Sequence, residues 1–321
     1  MKAIEITKVG GPEVLNYVDV PEPSPGPGQA LIEIKAIGVN FTDIYTRSGL
    51  NPPTLPTIPG VEAAGIVIQV GESVSDITVG DNVAYTGIGS SYAEKVVAPS
   101  KRLVKLPHGT NHETAATAML QGMTAHYLCH STYHLQSGDT CLIHAAAGGV
   151  GLLLTQMAKS IGAQVIATVS TEEKAQLASE AGADHVIIYT REDFQQEVNR
   201  ISAGEGIQVV YDSVGFTTFD KSLACLAHRG LMVLYGQASG PVPPVPVSLL
   251  NAKSLFLTRP TLWSYTDKRE ELLQRAGDVL TWVGSGELKL RIHGKFPLME
   301  ASESHRQLEG RLTTGKLLLM P

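Results

Sequence analysis

The chain has 321 residues, 43% hydrophobic and 17% charged, with 32 glycines and 18 prolines, which is room for two domains and a large buried core. A formal charge of -6 argues against gripping a nucleic-acid backbone as the main task, because that work needs clustered lysine and arginine. Cys129, Cys141 and Cys225 are odd in number and far apart, so no disulfide framework is expected; with no long apolar leader and no run of bilayer length, the reading is a soluble, cytoplasmic protein without a membrane partner.

The first hundred residues read as short strands, Ala30 to Ile37, Ala64 to Val70 and Asn82 to Tyr85, divided by turns such as Pro21-Glu22-Pro23-Ser24-Pro25-Gly26-Pro27. Strands so punctuated predict a compact β-barrel-like domain. Within it, Asn40-Phe41-Thr42-Asp43-Ile44-Tyr45 is expected to start a helix facing a cleft. From Glu113 to Leu135 the pattern is helical, and His126, His130 and His134 recur there every four residues beside Cys129. That spacing invites a divalent metal, but the span rises about 12 Å, too far for one ion. A polar helix face that contains histidines is the preferred reading, and no metal site is predicted.

The chain is organised around Cys141-Leu142-Ile143-His144-Ala145-Ala146-Ala147-Gly148-Gly149-Val150-Gly151, which reads as strand, tight loop and helix. Gly148 and Gly149 leave room for a pyrophosphate, the N–H groups of the first helical turn, Val150 among them, favour its charge, and Gly151 lets helix and strand pack closely. Ala146 stands where a G-x-G-x-x-G pattern would have its first glycine, so the loop alone is a weak signal. Its context strengthens it: strands Gln164 to Val169, His185 to Tyr189, Gln208 to Asp212, Leu231 to Tyr235 and Ser254 to Leu257 follow, with helical patterns such as Glu172 to Ala181 between them. This is the pattern of an α/β, doubly wound parallel sheet of the Rossmann kind. A helical stretch, Asp267 to Ser285, and an apolar strand, Leu317 to Met320, are too little for a third domain. The expected division is therefore 122–262 for the dinucleotide domain, with 1–121 and 263–321 forming one discontinuous domain.

NAD-preferring folds place an acidic residue about twenty positions beyond the loop, to bind the ribose 2′-OH. Here that position falls near Ser170. A serine can donate to a 2′-phosphate and Lys174 can meet its charge, so NADPH is the predicted cofactor. Glu172 and Glu173 would repel a phosphate unless turned to solvent, and Lys174 is equally readable as a solvated lysine.

Together with the loop, Gly38-Val39-Asn40-Phe41-Thr42-Asp43-Ile44-Tyr45, Pro59-Gly60-Val61-Glu62-Ala63-Ala64-Gly65, Val79-Gly80-Asp81-Asn82-Val83 and Val210-Tyr211-Asp212-Ser213-Val214-Gly215 resemble the medium-chain dehydrogenase/reductase superfamily. The closer resemblance is to its zinc-free, ζ-crystallin-like quinone oxidoreductases, and Thr258-Arg259-Pro260 and Thr313-Thr314-Gly315-Lys316 look like the bacterial NADPH:quinone reductases. It implies a GroES-like catalytic domain beside the Rossmann domain. Where the zinc alcohol dehydrogenases have a cysteine and a histidine ligand, this sequence has Asn40 and Val61, neither of them a useful zinc donor. The resemblance also implies cofactor contacts from Thr124, Tyr127, Tyr189, Val214, Tyr235, Gly236, Leu262 and Arg311, and a homodimer formed through strand edges near Ser254 to Leu257.

The implied reaction is hydride transfer from NADPH to a small quinone without a metal. Tyr45 is the candidate substrate-facing hydroxyl, otherwise a half-buried packing residue. Asn40 either orients the acceptor or caps the helix. The rival enzymes are a 2-alkenal or an enoyl-thioester reductase. The rival of another class is a crystallin-like structural or AU-rich RNA-binding protein, which the acidic charge disfavours.

Overall fold

The computed structural model describes residues 1–321, and its internal contacts divide the chain into residues 1–123 with 266–321, and residues 124–265. In the first unit, Lys2–Glu5 (β1) pairs antiparallel with Asn16–Asp19 (β2). Gln29–Val39 (β3) then runs for 11 residues, long enough to hold three neighbours. Along one edge it pairs with Glu62–Val70 (β4). Its other edge is shared, the first half taking Lys95–Pro99 (β6) and the last residues taking Lys316–Met320 (β15). Between β3 and β4 lies the helix Phe41–Ser48 (α1), and the sheet extends from β4 through Asn82–Thr86 (β5) to Val104–Lys105 (β7). The enclosed side carries one apolar cluster, with Ile32, Ile37, Val67, Tyr85 and Leu319 wholly or nearly wholly buried.

The helix His112–Tyr127 (α2) leads into the second unit. There follow Thr140–Ile143 (β8), Gly149–Ile161 (α3), Gln164–Val169 (β9), Glu172–Glu180 (α4), His185–Ile188 (β10) and Phe194–Ile201 (α5). Ile207–Asp212 (β11), Phe219–Cys225 (α6), Leu226–Leu234 (β12), Phe256–Thr258 (β13) and Leu262–Tyr265 (α7) complete it. All the strand pairs are parallel and the sheet order is β10-β9-β8-β11-β12-β13. Counted from β8 this is 3-2-1-4-5-6, the doubly wound order whose reversal lies between β8 and β11. The central strands are buried on both faces, as Leu142, Ile166 and Val210 on one and Cys141, Val165 and Val209 on the other show, which is why they read as mainly apolar runs. Arg269–Ser285 (α8), Ile292–Pro297 (β14), Ala301–Glu309 (α9) and β15 then return to the first unit, where β14 pairs parallel with β15.

Some elements differ from the sequence reading. The strand expected from Ser254 starts two residues later, because Ser254 ends a 3-10 turn in a left-handed conformation, φ 50°. The helical stretch to Leu135 ends as an α-helix at Tyr127 and opens into a wider π turn, Leu128–Thr132. That change of pitch breaks the four-residue repeat of the histidines. The His126 and His130 rings lie 4.7 Å apart, whereas His134 sits past the turn with its Nδ1 3.1 Å from the His130 carbonyl. No group of three or more His, Cys, Asp or Glu side chains is placed to hold a metal ion.

Candidate active site

At the sheet's reversal the second unit presents a tight loop with free backbone donors. Ala145 takes φ 51° and the Ala146 N–H donates to the Thr168 carbonyl at 3.1 Å, so the loop leaves β8 sharply. Gly148 caps α3 without a side chain, leaving the first-turn N–H groups of Gly149, Val150 and Gly151 outside the intrahelical ladder. A Cβ on Gly151 would stand 2.4 Å from the Ala145 oxygen. Only glycine therefore lets the helix begin so close to the turn, and positive dipole and free donors coincide there. The donor set fits a dinucleotide diphosphate.

Beneath the loop lies a buried polar network. His144 Nδ1 is 2.8 Å from Thr168 Oγ1, its Nε2 2.9 Å from Ser222 Oγ, and Ser222 donates to Asp212 Oδ2 at 3.2 Å. Burial holds the His144 pKa below its ordinary value, against the pull of Asp212. Asp212 Oδ1 accepts the Val214 and Gly215 N–H groups at 2.7 and 3.0 Å, and so shapes the turn after β11. Three loops at the C-terminal ends of β8, β9 and β11 are thus tied to one buried cluster.

The second unit also carries most of the predicted cofactor residues. Ser170 follows β9, and Lys174 stands in the first turn of α4, whose N-cap, Thr171, accepts its N–H at 3.3 Å. Tyr189 is exposed and its N–H bonds the Val169 carbonyl at 3.0 Å, one residue before Ser170. The repulsion expected from Glu172 is answered by Arg191, which pairs with it; Glu173 points to solvent. Arg191 was not singled out in the sequence, since nothing in its own stretch marks it. The Tyr235 N–H bonds the Asp212 carbonyl at 2.8 Å, and a Cβ on the adjacent Gly236 would meet the Ser213 oxygen at 2.5 Å. Thr124 and Leu262 are buried, and Tyr127 stacks on Tyr265 with ring centroids 4.3 Å apart.

Asn40, Tyr45 and Arg311 belong to the first unit. Arg311 is exposed at φ 56° in the turn between α9 and β15. Tyr45 is half-buried on α1, its ring 6.2 Å from that of Phe41. Asn40 begins α1, and its N–H donates to Asp43 Oδ2 at 2.9 Å. Both ends of its side-chain amide are hydrogen-bonded. Nδ2 donates to the Gly38 carbonyl at 3.1 Å and to Glu62 Oε2 at 2.9 Å, while Oδ1 accepts from Lys316 Nζ at 2.7 Å. Both amide N–H groups are spent, so toward an acceptor Asn40 offers only a remaining lone pair on Oδ1.

Lys316 and Glu62 pair at 2.5 Å with both side chains wholly buried, and Glu62 Oε1 accepts the Leu120 N–H at 2.6 Å. The ammonium stands beside the residue that occupies the first-ligand position of the zinc enzymes. The one carboxylate and the amide oxygen are already held by a lysine cation, which would itself repel a divalent metal, and no thiolate or imidazole stands with them, so the residues here do not fit zinc. Neither Glu62 nor Lys316 was read from the sequence as part of a site. The available signal was a lone charge in each of two apolar runs, Val61 to Val67 and Lys316 to Met320.

Comparison with known proteins gives two matching family models, the alcohol dehydrogenase GroES-like domain over residues 26–108 and the zinc-binding dehydrogenase over residues 149–276. A quinone oxidoreductase of Pseudomonas aeruginosa is 46% identical over 100% of this chain and 99% of its own. The crystal structure of an Escherichia coli quinone oxidoreductase complexed with NADPH is 43% identical, covers all of both chains and superposes with a TM-score of 0.98. A 2-haloacrylate reductase from Burkholderia is 42% identical over 99% of this chain and 98% of its own.

Proposed function

The chain belongs to the medium-chain dehydrogenase/reductase superfamily, among its quinone oxidoreductases, and from that membership we propose that it reduces quinones with NADPH by a route that uses no metal. The observation that carries the reading is the glycine-lined diphosphate seat at Gly148 to Gly151 in a chain that matches an NADPH-complexed quinone oxidoreductase from end to end. When bound, NADPH supplies the hydride. The protein's part is to hold the acceptor at near-attack distance and to manage charge and proton.

Gly148, Gly149 and Val150 bind the diphosphate, with the Val214 and Gly236 turns and the side chains of Thr124, Tyr127, Tyr235 and Leu262 completing the cofactor's surroundings. Ser170, Lys174 and Tyr189 recognise the 2′-phosphate. On the acceptor side, the Tyr45 hydroxyl donates a hydrogen bond to a quinone oxygen. As the ring gains electrons that oxygen becomes a phenolate, and it takes its proton from Tyr45 Oη or from water. Asn40 is held by Lys316 and Glu62 and lines the same site through Oδ1.

No helix is long and apolar enough to cross a membrane. All three cysteines are buried and free, and burial pushes the Cys129 and Cys225 thiols up to about 12; reduced, unreactive thiols support a cytoplasmic setting. The unpaired edge of β13, with Phe256 60% exposed and Val247 82% exposed nearby, supports a homodimer through strand pairing.

The Burkholderia relative favours one second reading, hydride addition to an activated alkene. Following NADPH oxidation against 1,4-benzoquinone, 9,10-phenanthrenequinone and crotonaldehyde separates the two. Turnover of the quinones is expected, and turnover of crotonaldehyde alone would replace the reading with the second.

A further inference from the structure

Around the first turn of α1 lies a second buried polar system that the reduction as described leaves unused. Asp43 Oδ2 accepts the Asn40 N–H at 2.9 Å and the Tyr92 O–H at 3.0 Å. Tyr92 Oη in turn lies 3.0 Å from His305 Nε2, the two rings meeting edge-on with centroids 5.7 Å apart. His305 Nδ1 is 3.4 Å from Arg47 Nη1, and Arg47 forks onto Glu309 at 2.9 and 2.6 Å. Asp43, Tyr92, His305 and Arg47 are all at most 1% exposed, and Glu309 alone reaches solvent.

The donors in this chain can be ordered. Arginine has only N–H groups to offer, so His305 Nδ1 accepts from Arg47 and Nε2 carries the hydrogen. A neutral ring is what burial demands, and desolvation with the adjacent Arg47 charge pushes the His305 pKa down to about 3. Nε2–H then donates to Tyr92 Oη, and Tyr92 O–H donates to Asp43. From Arg47 through His305 and Tyr92, every bond runs toward Asp43, and Arg47 is held at the far end by Glu309. The chain crosses three segments distant in sequence, α1, the loop before β6, and α9. Local helix capping needs only the Asn40–Asp43 bond, so the rest calls for another explanation.

We propose that Tyr92 and His305 are positioning residues for quinone reduction: donating in series onto Asp43, they fix the first turn of α1 and with it the direction of Tyr45. The inference rests on Tyr45 as the substrate-facing hydroxyl. An ionised Asp43 grips its donors with charge-assisted bonds about twice as strong as neutral ones. Burial pushes the Asp43 pKa up to about 7, opposed by the Asn40 N–H, the Tyr92 hydroxyl and Lys316 on β15, and assisted by Glu62 on β4. Arg47 on α1 itself, and His305 and Glu309 on α9, are the remaining titratable groups in the chain. The grip is therefore half engaged near neutrality and tightens as pH rises.

Tyr92→Phe removes one hydroxyl and keeps the ring. With that donor gone, Asp43 should ionise at higher pH. An upward move of about one pH unit cuts its ionised fraction at pH 7 from about one half to about one tenth, so kcat at pH 7 should fall about fivefold and recover in alkali. Asp43→Asn should flatten the same step, and KM for NADPH should not change in either variant. Infrared titration of the buried carboxyl provides a reading without turnover: a band titrating near pH 7, absent in Asp43→Asn and displaced upward in Tyr92→Phe. A carboxyl that titrates alike in wild type and Tyr92→Phe, or a kcat profile untouched by Tyr92→Phe, would overturn the inference. If Tyr45→Phe leaves quinone turnover unchanged while the infrared displacement is present, the role of Tyr45 fails, and the donor chain stands as a clamp on α1 alone.

Discussion

Lys316→Met keeps the stem of a buried side chain and deletes its charge, which isolates the ion pair at the centre of the first unit. In the wild-type protein the ammonium lies 2.5 Å from Glu62 Oε2 and 2.7 Å from Asn40 Oδ1, with no exposure of either charged side chain. After the replacement Glu62 keeps two donors, the Leu120 N–H and Asn40 Nδ2, but no cation in contact. Stranding one member of a buried pair costs about 3–5 kcal/mol, whereas neutralising both members together is often close to neutral. The single variants Lys316→Met and Glu62→Gln should therefore each be strongly destabilised, and the double variant should lose no more than either single one, a coupling of at least about 3 kcal/mol. Because the chain has two units, unfolding need not be one transition. Urea titration should follow Trp282, on α8 in the first unit, in a Trp263→Phe background that silences the second. Single-variant losses that simply add in the double variant would refute the reasoning.

Three further outcomes are expected from the candidate site. Tyr45→Phe should slow quinone reduction by about an order of magnitude or less if the hydroxyl only orients the acceptor, and an unchanged rate would remove Tyr45 from the reaction. Lys174→Ala should raise KM for NADPH about tenfold, equivalent to about 1.4 kcal/mol, and leave NADH untouched; an equal effect on both, or wild-type efficiency with NADH matching that with NADPH, would deny it the 2′-phosphate. Gly151→Ala would press a Cβ to 2.7 Å from Ala146 Cα, an overpacking worth about 1–3 kcal/mol, and calorimetric NADPH affinity should fall while the second unit stays folded; unchanged affinity would mean that the loop does not hold the diphosphate.

The dinucleotide unit was legible because its signals are local. A strand, a small-residue turn and a helix start occupy adjacent residues, and buried strands write mainly apolar runs at β9, β11 and the second half of β12, whose first half, with exposed His228 and Arg229, was not legible as strand. The first unit was less legible, since β1, β2, β14 and α9 are short or mixed in pattern: β14, for instance, alternates half-buried and exposed residues and contains Gly294 and Pro297. The interior around Asn40 was beyond local reading altogether. Glu62 and Lys316 are separated by 254 residues, and His305 and Tyr92 by 213, and no periodicity links positions that meet only when β15 and α9 return to β3 and α1. Asn40 itself was readable as a cap, because Asp43 stands three residues on. What its side chain touches was not.

The Lys316–Glu62–Asn40 contact bears on the chemistry as well as on stability. A metal beside a substrate oxygen accepts its lone pair and lowers the cost of negative charge on it. A lysine ammonium is also a cation, but its three hydrogens can only donate, and here two of its directions are fixed on Glu62 and Asn40. The pair is internally neutral, so little field is left for a ligand. Such an interior suits an acceptor that needs little activation, and a quinone, whose reduced oxygen is a stabilised phenolate, is one. An alcohol is not, because its oxidation begins with loss of a proton from a weakly acidic hydroxyl, a step to which Lys316 and Asn40 offer neither a base nor a Lewis acid. The buried ion pair thus favours the quinone reading on the same physical grounds that make it expensive to break.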